Sequence, residues 1–248
     1  MLPDDSPVRM PDDFEGIVRM FPLPEMVLFP NVVQPLHIFE PRYCDMLDEA
    51  LATDRLIAMA LLQPGDELAG NKPPVAQTVC IGKIISHSEL EESRHNVLLV
   101  GVQRAKIISE IDTASPFRKI EVELLEDEPD HFDNDQEREE LRQSLLDFFR
   151  NVATIEQAST DAGGINDMIE SKMPLGMLSD LLAFSLPLPT AVKQQLLSET
   201  RVLVRARKLC QFLKNSNIGP AKSGSSAIDQ ATFSSPAGRE FPPKFSAN

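Results

Sequence analysis

The chain has 248 residues, 42% of them hydrophobic and 25% charged, an ordinary balance for a globular fold with one large core or two smaller ones. A net charge of −14 and a pI of about 4.7 oppose nucleic-acid backbones and anionic membrane surfaces as partners. Three isolated cysteines exclude a disulfide framework, and the absence of Trp beside a single Tyr calls for a largely aliphatic core.

Residues 1–15 hold Pro3, Pro7 and Pro11 with five acids against one Arg, and are expected to form a flexible leader. They carry no apolar run of a secretory signal. No stretch of the chain nears the roughly 18 apolar residues of a membrane-spanning helix, so a cytoplasmic protein is expected. Residues 17–21 alternate enough for a strand, after which Pro22 and Pro24 remove ladder donors. Val27, Leu28 and Phe29 form a short apolar segment stopped by Pro30 and Asn31, and 32–36 reads as a strand ending near Pro35. Pro41 suits a first helical turn, and Tyr43, Met46, Leu47, Ala50 and Leu51 share one face of a helix predicted over 41–52. The wholly apolar run 56–62 predicts a buried strand, and 63–74 a loop. Strands are predicted over 78–86 and 96–111 around a polar turn at 89–95, with interior glycines Gly82 and Gly101. In 117–125, Ile120, Val122 and Leu124 alternate onto a core face. Six or more short strands with one embedded helix predict a closed or nearly closed β-barrel over 16–125.

The period then changes. Residues 126–140 hold nine acids and one Arg and read as an acidic connector. Over 141–215 a helical bundle is predicted. Leu141, Leu145, Phe148, Phe149 and Val152 mark its first helix, whose start Asn134 with Glu137 can cap. A second helical piece is predicted over 165–173. Pro174 opens a third, and Thr190 and Thr200 are predicted to cap the last two. In the tail, 216–248, 14 of 33 residues are Ser, Gly or Pro, and disorder is expected.

Chemistry-bearing patterns are sparse. There is no phosphate-binding G-x-x-x-x-G-K-[ST] loop, no G-x-S-x-G elbow and no H-E-x-x-H, so neither a catalytic residue nor a cofactor is expected. His87 and His95 can meet across the hairpin, with Glu89 or Glu91 as a third donor, but a surface pair is the simpler reading. Cys80 and Cys210 fall on apolar faces as core filler, and Cys44 lacks an evident base and reads as an inert thiol. Glu40 sits where a helix beginning at Pro41 presents its positive end, and Arg42 is expected to pair with Glu40 or with a neighbouring backbone carbonyl. Arg201, Arg205, Arg207, Lys208 and Lys214 make the last helix basic, so the acidic connector can dock there. That helix lacks the interleaved aromatics that stack bases. Phe39 is expected in the core, where Phe39→Ala would cost roughly 3–5 kcal/mol.

Phe21-Pro22-Leu23-Pro24, Val27-Leu28-Phe29-Pro30 and Pro35-Leu36-His37-Ile38-Phe39-Glu40-Pro41-Arg42-Tyr43 together resemble the signature of the Lon N-terminal domain family. Ile81-Gly82-Lys83-Ile84 is similar to that family's glycine-centred strand, and the strand around Gly101 and Arg104 to its G-x-x-R segment. The stretch 181–213, with its Leu-Pro-Leu break and its Leu196-Leu197 pair, resembles the helical part. The resemblance covers about residues 15–214. It implies an α+β fold, a PUA-like β pseudo-barrel followed by a C-terminal α-helical bundle. It also implies a non-catalytic module of protein quality control that binds unfolded polypeptide or a protein partner. The expected contact is an apolar groove between barrel and bundle, with the signature residues maintaining the fold. The ATPase and Ser–Lys protease domains of full-length Lon proteases are not expected here. A component or remnant of an ATP-dependent peptidase system is the alternative. RNA binding, raised by the PUA relation, is opposed by the charge.

Overall fold

The computed structural model describes residues 9–64, 72–91, 94–128, 135–156 and 173–215. Among these, six strands and a set of helices form an α+β architecture. The strands are β1 (Ile17–Leu23), β2 (Val33–Ile38), β3 (Leu56–Leu61), β4 (Thr78–Leu90), β5 (Arg94–Ile111) and β6 (Arg118–Leu125). Helix α1 (Pro41–Ala52) lies among them; α2 (Asp135–Glu156), α3 (Leu175–Ser185), α4 (Thr190–Leu197) and α5 (Val202–Asn215) follow.

The sheet order is β2-β5-β4-β3-β1-β6, and β6 returns to pair with β5. Strands β5, β4, β3, β1 and β6 therefore close into a ring, while β2 branches from the first half of β5. Closure removes most exposed edges and leaves β2 and the outer half of β4, which β3 accompanies only as far as Lys83, as edges. The ring interior is filled by Val18, Met20, Leu56, Ile81, Ile120 and Val122, with Ala58, Ala60 and Ala105 where space is short. Met10 and Phe14, in the stretch read as leader, pack partly buried against this cluster.

The outer side of the ring carries the larger core. Tyr43, Met46, Leu47 and Ala50 of α1 are buried against it. The large ones each contribute about 1.5–3 kcal/mol of apolar burial. One continuous apolar cluster runs from Phe29, Cys80 and Leu99 through Leu145, Leu178 and Leu182 to Leu209 and Leu213, so the bundle helices share the barrel's outer core. Arg19 clamps α1 to the ring: its guanidinium meets Glu49 at 2.8 Å, Asp54 at 2.7 Å and Thr53 Oγ1 at 2.6 Å. Lys119 adds a 2.8 Å contact to Glu49.

Several expectations shift. β1 continues through Pro22 to Leu23, because β6 leaves that edge after Met20 and no ladder donor is needed there. β2 runs past Pro35 to Ile38, since an edge strand tolerates the missing N–H. The polar turn predicted over 89–95 shrinks: Leu90 already pairs with Arg94 and Glu89 with His95. Leu124 is exposed, because β1 accompanies β6 only as far as Glu121 and Leu124 lies past the closed ring. Helix α2 starts at Asp135, taking acids of the connector into its first turn, where the helix dipole favours them. Thr190 is the first residue of α4, with Pro189 at the N-cap, and Thr200 donates its hydroxyl to Glu128 at 2.6 Å instead of capping α5. Asn134, residues 165–172 of the predicted helical piece and the tail 216–248 lie outside the described residues.

Candidate functional site

β2, β5 and the outer half of β4 form a three-stranded surface whose register fixes what it displays. Val33 lies opposite Val100, Pro35 opposite Leu98 and His37 opposite Asn96. On the far side of β5, Leu98 faces Ser86, Asn96 faces Ser88 and Arg94 faces Leu90. Alternation sends Leu36, Ile38, Val97 and Leu99 into the core and turns Val33, Pro35, His37, Leu98 and Val100 outward. Phe39, one residue past β2, is 62% exposed, Val33 49% and Leu90 40%. Ile85, 44% exposed, marks a bulge in β4 where the register shifts between Ile84 and Ser86. His37 stands 5.9 Å from Phe39 ring to ring, and its Nδ1 lies 2.9 Å from Asn96 Oδ1. The result is an apolar face with few charges beside an open strand edge. Such faces mark interaction sites.

Phe39 was expected in the core and is on the surface. One residue beyond buried Ile38 and the end of β2, the Phe39 ring is exposed, so Phe39→Ala is expected to change stability by less than about 0.5 kcal/mol.

The other signature residues divide sharply. Phe21 and Tyr43 pack ring to ring at 4.6 Å with planes inclined by 56°. Leu28, Phe29, Pro30 and Leu36 are buried, Pro22, Leu23 and Glu40 half-buried, and Pro24, Pro35, Pro41 and Arg42 exposed. Glu40 is the N-cap of α1 without a side-chain cap, and its carboxylate meets Arg42 Nη2 at 2.8 Å. A Cβ on Gly82 would press into the Leu99 side chain at 2.6 Å. One on Gly101 would lie 2.0 Å from the Phe29 carbonyl oxygen, because the 29–32 turn bonds directly to Gly101.

Arg104 does not reach a surface. It is buried at the junction of barrel and bundle, donating to the Leu197 carbonyl at 3.0 Å and to Asp180 of α3. Arg205 of α5 is fully buried beside it, bidentate to Asp127 at 2.7 and 2.9 Å and 3.1 Å from Asp180. Burial pushes the Asp180 carboxyl up while the two guanidiniums pull it back. At this part of the junction the surface is polar instead of the expected apolar groove. The cavity there, about 370 Å³, is lined by Arg104, Glu126, Asp127 and Asp180 among others, because the junction is held by ion pairs. Connector acids do reach α5, through Asp127 with Arg205 and Glu137 with Arg207.

Glu199, at the start of this region, accepts from Arg201 Nε at 2.8 Å and Lys208 Nζ at 2.6 Å. The Arg201 bond above all holds its carboxyl down at about 2, against an ordinary 4.5. The folded state therefore binds this proton less readily than the unfolded one. Its stabilisation is complete above pH 4.5 and is lost as pH falls toward 2. Arg201 and Lys208 are half exposed, so solvent screening leaves roughly 1–2 kcal/mol. Glu199→Gln is expected to flatten the acid side of a stability–pH curve measured by urea unfolding; an unchanged slope would contradict the assignment.

His87 Nε2 and His95 Nδ1 do meet, at 3.0 Å, with rings stacked at 5.2 Å. Among the described residues no group of three or more His, Cys, Asp or Glu is arranged to hold a metal ion. Burial raises the Cys80 and Cys210 thiols, and burial with Asp48 and Asp45 raises Cys44, so none is poised as a thiolate. No helix among the described residues is long and apolar enough to cross a membrane.

A barrel ring with a side strand and an attached helical bundle is the fold of Lon N-terminal domains. The N-terminal domain of Mycobacterium avium complex Lon protease superposes with a TM-score of 0.63 at 18% identity, covering 80% of this chain and 98% of that one. A Lon N-terminal domain protein from Xanthomonas campestris gives 0.56 at 20% identity, covering 80% and 97%. In sequence, the Lon protease of Desulfosudis oleivorans is 24% identical over 206 residues, 82% of this chain and 24% of that protein. Lon protease 1 of Bacillus subtilis is 23% identical over 211 residues, 83% of this chain and 26% of that protein. The chain spans about a quarter of the length of these relatives. The family model of the ATP-dependent protease La (LON) substrate-binding domain matches residues 17–215, and the chain belongs to that family.

Proposed function

We propose that the chain is a non-catalytic polypeptide-binding module of protein quality control, working in the cytoplasm. In this reading an extended apolar segment of an unfolded protein lies along the outer face of β2, β5 and β4. The observation that carries the reading is that exposed face, with Phe39 and Val33 at an open strand edge in a member of a substrate-binding family. An added strand would bond to the β2 edge, and its alternate side chains would pack on Phe39, Pro35 and Leu98. Aromatic residues dominate binding energy at such faces, so Phe39 is the expected anchor.

The test is fluorescence anisotropy with reduced, carboxymethylated α-lactalbumin. Phe39→Ser is expected to weaken binding about tenfold while leaving the melting temperature unchanged. A wild-type chain without affinity, or a variant that binds equally well, would overturn the reading. A second reading, a subunit serving an ATP-dependent peptidase, is favoured by the alignment of this chain to one quarter of several Lon proteases. It predicts that the chain accelerates casein degradation by such a peptidase.

A further inference from the structure

A separate cavity of about 220 Å³ opens where the end of β1, the first turn of α1 and the β5–β6 turn converge. Its apolar walls include Pro22, Tyr43, Pro116 and Phe117. Among the described residues its charged lining is Arg42, Lys72 and Arg118, with no acid, in a chain whose net charge is −14. The acids that pair with two of these cations stand outside the lining: Glu40 bonds Arg42 at 2.8 Å, and Glu110 bonds Arg118. Arg118 Nη1 also donates to the Pro73 carbonyl at 2.8 Å, which ties the 72–74 segment to the rim. Arg42 lies 4.7 Å over the Tyr43 ring, so guanidinium and ring are held together at the mouth. Arg42 and Tyr43 belong to the first turn of a twelve-residue helix, whose dipole adds to the positive potential.

We infer that this cavity binds a monoanionic carboxylate carried on an aromatic or branched apolar body. Glu40 and Glu110 already engage Arg42 and Arg118, which leaves Lys72 as the lining cation without an acid partner among the described residues, a match for one carboxylate better than for a phosphate dianion. The volume is below the roughly 300–1,000 Å³ of sites for drug-sized molecules, so it takes one ring or side chain and not an extended segment. The same chemistry has two sources, a free small carboxylic acid or the C-terminal residue of a polypeptide. The site is distinct from the β2–β5–β4 face, and it deepens the polypeptide-binding reading only if the source is a chain end.

Calorimetric titration of the full chain with 3-phenylpropionate at low salt tests it, with 3-phenylpropionamide as the uncharged isostere. The acid is expected to bind with a Kd on the order of 1 mM or tighter, and the amide about tenfold more weakly. Lys72→Gln, a change of an exposed side chain, is expected to weaken the acid about fivefold with the melting temperature unchanged. Displacement of the acid by a heptapeptide ending in a free Phe carboxylate, but not by its C-terminal amide, supports the site with a chain end as the source. Binding of the acid without displacement by either peptide supports it with a free acid as the source. No heat with 3-phenylpropionate, equal affinity for acid and amide, or an unaffected Lys72→Gln variant would overturn it. These readouts use no unfolded protein, so their failure leaves the reading of the sheet face to its own test.

Discussion

Asp180→Ala is expected to lower the unfolding free energy by about 3–5 kcal/mol, a large share of the roughly 5–15 kcal/mol that holds an ordinary domain folded. Asp180 lies between two buried guanidiniums, Arg104 of β5 and Arg205 of α5. Its removal leaves both cations in the interior with Asp127 as their remaining carboxylate partner, at 3.5 Å from Arg104 and 2.7 Å from Arg205. The cost comes mainly from the uncompensated charges, since a buried ion pair gains little over well-packed apolar groups. Two controls follow. Asp180→Asn, which keeps one acceptor, should cost less than Asp180→Ala. Replacing Arg104 and Asp180 together by Met and Leu should recover much of the loss. Urea unfolding followed by circular dichroism measures all three; a loss below about 1 kcal/mol for Asp180→Ala would show that the network is not load-sharing between barrel and bundle.

Gly101→Ala is expected to cost about 3 kcal/mol or more, through backbone displacement and not through a cavity. The added methyl would lie 2.0 Å from the Phe29 oxygen and 2.8 Å from its carbonyl carbon. Main-chain atoms cannot rotate away. The 29–32 turn must lift, breaking the bonds from Asn31 N–H to the Gly101 oxygen at 2.7 Å and from Gly101 N–H to the Val32 oxygen at 2.9 Å. Gly82→Ala is the informative contrast. There the methyl meets the buried Leu99 side chain at 2.6 Å, and a side chain can shift where main chain cannot, so a smaller loss of roughly 1–3 kcal/mol is expected. Equal losses at the two glycines would contradict this account of why each is glycine.

The fold was legible because each of its periods is local. Helix α1 spans Pro41–Ala52 as proline placement and the apolar stripe predicted, and the all-apolar 56–62 run became the fully buried β3. The interior glycines marked close approaches that depend on tertiary structure: Gly101 admits a turn some seventy residues earlier, which no local pattern encodes. The candidate site was harder to read. Val97, Leu98, Leu99 and Val100 are all apolar, so alternation could not say which pair faces out. An apolar stretch on both faces of a strand implies that something covers the second face. That was the available signal, and the Val33, Pro35, His37, Phe39 alternation on β2 was its continuation. Phe39 was misplaced because an aromatic inside a strong motif invites a core reading. Arg104 and Arg205 gave no hint of burial, since their carboxylate partners lie far away in sequence.

The central claim is that the outer face of β2, β5 and β4 receives unfolded polypeptide. Hydrogen–deuterium exchange on the full chain, with and without reduced, carboxymethylated α-lactalbumin, tests it most directly. Slowed exchange concentrated in residues 33–39 and 94–100, with α5 unchanged, is the predicted result. Protection confined to the bundle helices, or no protection at saturating polypeptide, would contradict it.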